Sequence, residues 1–108
     1  MENIPLLALQ EAGLGFNESK VYYALLLLGN ATATQITKKS QVHRINVYDL
    51  LKSLQDKGLI SVVFNDKKKV YVPANPKRLL ELVKEKEYLI TQSLPHLNQL
   101  FEEKKQPN

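Results

Sequence analysis

The spacing of apolar residues changes character at Gly58, and that change constrains the fold of this chain more than any other feature. Before it, Val47, Leu50, Leu51 and Leu54 fall within about a third of a helical wheel, the pattern of an amphipathic helix. After it, Leu59 to Phe64 is β-branched and aromatic, Asn65-Asp66 is a turn pair, and Val70-Tyr71-Val72 forms a second short run before Pro73. A helix over about 43–57, capped at its C-terminal end by Gly58 and followed directly by a hairpin, is therefore expected.

Gly, Pro and Asn set the other boundaries. Pro5 suits a first helical turn, and Ile4, Leu7 and Ala8 give a short helix that Gly13 ends. Asn17 is the expected N-cap of a second helix, in which Val21, Tyr22, Leu25, Leu26 and Leu28 recur at helical spacing up to Gly29. Thr32 and Gln35 form a capping-box pair ahead of Ile36, predicting a short third helix from about Ala33 to Ser40 and a brief connection near Gln41. Beyond the hairpin, Asn75 as N-cap and Pro76 in first position open a last helix. Its apolar residues are Leu79, Leu82, Val83, Leu89, Ile90, Leu97, Leu100 and Phe101. Pro95 is expected to kink or break it, since proline removes a backbone donor and clashes with the carbonyl four residues earlier. The fold class is thus mainly α with a small β-hairpin (α+β). The element order is that of a winged helix-turn-helix, residues 1–74, followed by a long helical segment, residues 75–108.

A chain of 108 residues with 44% hydrophobic and 24% charged residues suits one globular core. The absence of cysteine removes disulfides, thiolate metal sites and cysteine nucleophiles, and two histidines argue against a protein-built zinc site. No cofactor is expected. There is no Gly-rich phosphate loop, no histidine paired with a nucleophile and no carboxylate cluster, so an enzyme is not expected either; Glu81, Glu85 and Glu87 read as a solvated helix face. An acidic start without a basic region, and no run of about 18 apolar residues, argue for a cytoplasmic, nucleoid-associated protein without a membrane partner.

The net charge of +4 is unevenly spread. Residues 1–19 carry three acids and no base, residues 20–78 eleven bases against three acids, and residues 79–108 four against five. The basic stretch therefore coincides with the helix-turn-helix and hairpin, where a helix enters a major groove and a wing lies on phosphates. Lys38, Lys39 and His43 border the turn, and Lys67, Lys68 and Lys69 crowd the hairpin tip. Adjacent lysines repel one another, so a polyanion explains them; they also suit a soluble strand edge. Opposite the core stripe of the longer helix lie Ile45, Asp49, Lys52 and Asp56, with Asn46 and Tyr48 on the flanks; with Arg44 at the start of the helix, Arg44, Ile45, Asn46, Tyr48, Asp49 and Lys52 are the candidates for contact with DNA. Arg44 suits guanine or a phosphate, Asn46 suits adenine or plain solvent, and an exposed Ile45 suits a thymine methyl. Tyr48 is expected to bury its ring and offer its hydroxyl to phosphate, and Asp49 to pair internally with Lys52 or Arg44. His43 is either an exposed turn residue or a pH-dependent phosphate contact.

The strings LGFNESKVYYALLLLGNATATQI and VHRINVYDLLKSLQDKGLISVV resemble the DNA-binding domain of the TrmB-like transcriptional regulators, found largely in archaea. The likeness runs from residue 13 to about 74 and is most specific at Arg44, Val47-Tyr48, Leu51, Ser53-Leu54 and Lys57-Gly58-Leu59. It implies sequence-specific binding of double-stranded DNA, usually as a dimer. Where the family commonly has glycine and, two residues on, Pro-Arg, this chain has Gln41 and His43-Arg44. Typical members also carry a C-terminal sugar-binding domain, whereas only a helix of about thirty residues follows the wing here, so no small-molecule effector is expected.

The last helix carries more apolar surface than one side of its own domain can cover, which points to a homodimer built on the eight apolar residues named above; the alternative is a helix that returns at Pro95 and folds back over its own domain. Paired recognition helices about 34 to 36 Å apart then predict a palindromic operator. Two rivals remain open at this level: an architectural protein that coats DNA without reading it, and a winged helix used for protein contact in a transcription complex.

Overall fold

The computed structural model describes residues 4–105. Five helices and one hairpin follow in order: α1 (Ile4–Glu11), α2 (Phe16–Leu28), α3 (Ala33–Ser40), α4 (Arg44–Asp56), β1 (Ile60–Asn65), β2 (Lys68–Pro73) and α5 (Arg78–Lys104). This is the expected winged helix-turn-helix with its long terminal helix.

Several boundaries have other causes than those expected. Gly15, not Asn17, precedes α2, because its amide donates to the Glu18 carboxylate at 3.0 Å and closes the first turn two residues early. Thr32 and Gln35 do form the reciprocal cap of α3, with Gln35 N–H donating to Thr32 Oγ1 and Thr32 N–H to Gln35 Oε1. Asn75 Oδ1 accepts from Lys77 N at 2.9 Å, but a tight turn through Pro76 intervenes and the regular helix starts at Arg78. The hairpin turn lies one residue later than expected: Asp66 and Lys67 both have positive φ, 52° and 68°, the type I′ geometry that matches strand twist. Pro95 does not break α5, which runs through it as one helix of 27 residues, about 40 Å at 1.5 Å per residue.

The core is built where the elements converge. Val21, Tyr22 and Leu25 of α2, Ile36 of α3, and Val47, Leu51 and Leu54 of α4 pack with Leu59, Ile60 and Tyr71 of the hairpin region. In α2, Leu26 and Leu28 fall outside this face and Ala24 inside it. In α1 the expected stripe is turned away: Leu9 is buried and Leu6 packs on the core, while Ile4 and Leu7 are exposed. The sequence gives no hint of one further contact. Ala31 and Tyr71 exchange backbone hydrogen bonds at 2.7 and 3.0 Å, so the loop after α2 extends the hairpin and fixes the wing against α3.

Two polar clusters lock the helices together. The buried Glu18 carboxylate accepts from Ser53 Oγ and Lys57 Nζ, both at 2.6 Å, joining α2 to α4. Arg78 Nε donates to the Lys57 carbonyl at 2.8 Å and so anchors the base of α5, while its Nη1 pairs with Glu81 and Glu85 of the same helix; those carboxylates and Glu87 are exposed, the expected solvated face. Leu82 is buried there and Leu79 half-buried; beyond this base α5 projects outward, and the molecule is 70 Å long against 27 and 26 Å in its other dimensions.

Candidate nucleic-acid interface

The turn between α3 and α4 places the second helix. Gln41 takes the left-handed conformation, φ 60° and ψ 21°, at the position where the TrmB-like pattern has glycine, and its amide donates to the Thr37 carbonyl to close α3. Val42 is buried beneath the turn and donates its amide to Ser40 Oγ. His43 then caps α4, its Nδ1 accepting from Ile45 N at 3.4 Å. A glutamine and a histidine thus reproduce the turn by side-chain and backbone hydrogen bonds.

With Val47, Leu51 and Leu54 buried, the other side of α4 faces solvent: Arg44, Ile45, Asn46, Tyr48, Asp49 and Lys52 are all exposed, Ile45 by 76%. These six candidates lie together on one helix. Two expectations fail in detail. Tyr48 is 49% exposed, not buried, and borders an open groove shared with the buried Tyr71. Asp49 joins no ion pair among the described residues; Lys52 instead meets Asp56 at 3.8 Å, one turn towards the C-terminus. That pair is largely solvated and adds little stability.

An open groove of about 400 Å³ runs beside Tyr48, lined by Thr32, Ala33 and Thr34 at the start of α3 and by Lys68, Lys69 and Tyr71 of β2. The α3 N-terminus supplies partial positive charge, the wing supplies lysines and Tyr48 an exposed ring, so the groove is suited to an anion. Burial, and secondarily the nearby Tyr48, pushes the Tyr71 phenol above its ordinary value. Lys67 stands on the turn itself, and Lys38 and His43 are exposed at the helix-turn-helix corner. Lys39 is separated from the groove: it borders a cleft with Leu6, Lys20, Tyr23 and Leu27, between α1, α2 and α3. Thr34 and Tyr71 were not among the sequence candidates. Thr34 was signalled by its place two residues after an N-cap; Tyr71 reads as a core residue in any strand.

The apolar residues of α5 divide into two sets. Leu79 and Leu82, expected at a dimer interface, pack on the chain's own core. About a quarter turn around the helix, Leu80, Val83, Ile90, Leu94, Leu97 and Phe101 follow an alternating three- and four-residue spacing interrupted only by Glu87. All six are exposed, from 42% at Leu94 to 64% at Leu80, and Leu89 and Leu100 flank them. Leu80 and Leu94 are the additions to the expected set.

Comparison with known proteins places this architecture. Among solved structures, TrmBL2, an archaeal chromatin protein, superposes with a TM-score of 0.80 at 27% identity, covering 95% of this chain and 41% of that one. A MarR family transcription regulator shares the fold at a TM-score of 0.60 and 18% identity, with 95% of this chain and 80% of that one covered. An HTH-type sugar sensing transcriptional regulator of Pyrococcus furiosus, TrmBL1, is 39% identical over 85 residues, which is 79% of this chain. The chain spans a quarter of the length of TrmBL1 and about two-fifths of TrmBL2. Residues 9–77 match the family described as sugar-specific transcriptional regulator TrmB, and the chain belongs to that family.

Proposed function

We propose that the chain is a sequence-specific double-stranded DNA-binding regulator of transcription that acts as a homodimer. Residues 1–74 serve as the DNA-binding domain and residues 75–108 as the dimerisation segment. The observation that carries this reading is the joint exposure of Arg44, Ile45, Asn46, Tyr48, Asp49 and Lys52 on α4 beside the lysine-bordered groove. Arg44 and Asn46, in the first turn, read base edges in the major groove; Ile45 meets a thymine methyl. Lys67, Lys68 and Lys69 take phosphates on the wing side, and Lys38 and His43 on the corner. The lone Asp49 facing the same groove suits a cytosine amino group and repels phosphate, which favours reading over indiscriminate coating.

The dimer rests on the seam of α5. Of its six exposed apolar residues, Leu80 and Val83 border a cleft with Ala8 and Glu11 of α1 and with Ala12, while Ile90, Leu94, Leu97 and Phe101 lie on the projecting part of the helix, a stripe suited to a coiled-coil strand paired with its copy. TrmBL2 is named a chromatin protein, so coating without sequence preference is the second reading. The deciding experiment is binding to the protein's own promoter region and to a scrambled duplex of equal length at several salt concentrations. A steep salt slope with at least about 10³-fold preference for one duplex supports the regulator; the same slope without preference supports the coat. No binding near physiological salt moves the module to protein recognition.

A further inference from the structure

The wing carries a residue that phosphate contact leaves unexplained. In the antiparallel register Ile60 faces Pro73, Val62 faces Tyr71 and Phe64 faces Lys69. Alternation along the strand puts Ile60, Val62 and Phe64 on one face. That face leaves the body of the protein progressively: Ile60 is buried, Val62 half-buried and Phe64 72% exposed. Phe64 therefore overhangs the core near the tip of the hairpin, separated from the two-residue turn by Asn65 alone. Its cross-strand partner Lys69 and, two residues on, Tyr71 share that face and line the groove beside Tyr48, which Lys68 also lines from the other face of the strand, so Phe64 stands next to the groove that borders the recognition helix.

The surroundings of the ring are cationic. Lys67, Lys68 and Lys69 are exposed around it, none in an ion pair among the described residues, and Asp66 is the one acid at the tip. Lysines alone are enough to hold phosphates, and an apolar partner protein would be poorly matched by three unpaired cations. A surface that offers apolar contact between two rows of phosphates matches both features at once. That surface is the minor groove, where apolar side chains enter between base pairs while cations grip the flanking backbone.

We propose that Phe64 is a wedge that enters the minor groove next to the major groove read by α4 and partly unstacks one base step there. This rests on the DNA-binding reading and deepens it, because the energy of opening a step depends on its sequence. Flexible pyrimidine–purine steps, TA and CA/TG, are then favoured at a position no side chain reads by hydrogen bonding.

The test uses the full chain and the promoter fragment it binds, with 2-aminopurine replacing adenine at successive TA and CA steps across the protected segment. Wild-type protein at saturation is expected to raise the fluorescence at one step on the wing side. Phe64→Leu keeps that rise, Phe64→Ala abolishes it, and Lys68→Ala weakens binding yet keeps the rise at saturation. Phe64→Ala is also expected to lose at least about tenfold affinity for a fragment with TA at that step and much less for one with a stiff A-tract there. Because Phe64 is outside the core, thermal melts of the variants are expected to match wild type, so loss of folding does not mimic the effect. Binding by wild type with no fluorescence change at any step, or equal losses on both fragments, overturns the wedge and leaves DNA binding intact. Binding to no duplex at all overturns the DNA reading itself.

Discussion

Replacing Glu18 by glutamine probes the contact that ties α2 to the recognition helix. The wild-type carboxylate is 5% exposed and accepts from Gly15 N, Ser53 Oγ and Lys57 Nζ. Glutamine keeps an acceptor for Gly15 but removes the charge that Lys57 meets. Deleting one partner of a fully buried pair costs about 3 to 5 kcal/mol. Here Lys57 keeps Ser53 Oγ at 3.0 Å, and its side chain is 28% exposed, so water recovers part of the loss. About 2 to 3 kcal/mol is the expected cost, roughly 10 to 20 °C in Tm for a domain of this size. The pH dependence has a fixed sign. Burial pushes the Glu18 carboxyl up, but the hydrogen bonds from Lys57, Ser53 and Gly15 and the Lys57 charge together outweigh it, leaving the group below its ordinary 4.5. A carboxyl more acidic in the folded chain than in the unfolded one contributes stability that is complete above that value and lost as pH falls below it. The gap between wild type and Glu18→Gln, measured by thermal or urea unfolding at one protein concentration, is therefore widest near neutrality and closes below about pH 4.5. A cost under about 0.5 kcal/mol, or a gap that does not change from pH 7 to pH 3, would refute the reasoning.

The remaining expectations concern both stability and binding. Tyr22 is fully buried and its hydroxyl has no hydrogen-bond partner among the described residues, so Tyr22→Phe is expected to be neutral or to stabilise by up to about 1 kcal/mol in urea unfolding; a loss above about 1 kcal/mol contradicts the packing described. Arg44→Ala should cost about 1 to 3 kcal/mol on the preferred duplex and relax discrimination, whereas Lys68→Ala should weaken all duplexes evenly and lower the salt slope by about one. Equal weakening of every duplex by Arg44→Ala would assign that side chain to phosphate. Ile90→Lys combined with Leu94→Lys should halve the sedimenting mass without unfolding the domain, since both residues are exposed; an unchanged mass places the dimer contact elsewhere.

The parts of the fold legible in the sequence were those fixed by short-range chemistry. Thr32 with Gln35, Gly29, Gly58 and the apolar spacing of Val47, Leu51 and Leu54 each act within one or two turns of chain, and each holds. What escaped depends on neighbours far away in the chain. The same Glu18 carboxylate that closes the first turn on Gly15 also accepts from Ser53 and Lys57, more than thirty residues on. Leu9 rather than Ile4 and Leu7 turns inward because α1 meets α2 on that side, a choice that six consecutive apolar residues, Ile4 to Leu9, do not encode. Pro95 stays inside α5, in a stretch held clear of the domain. At the interface, exposure of the α4 candidates followed from the helical period. The groove did not, because it is formed by the Ala31–Tyr71 pairing that draws β2 against α3. The division of α5 into a docked face and a free seam likewise needs the position of Arg78 on the Lys57 carbonyl.

In the function proposed above, two copies of α4 read a defined sequence on one face of a duplex. The most direct measurement is selection of tight-binding duplexes from a random-sequence pool by the full chain, followed by sequencing. A palindromic consensus with half-sites about one helical turn apart is the expected outcome. Recovery of duplexes with no shared sequence, despite binding that weakens steeply with salt, would contradict it and assign the chain to coating DNA.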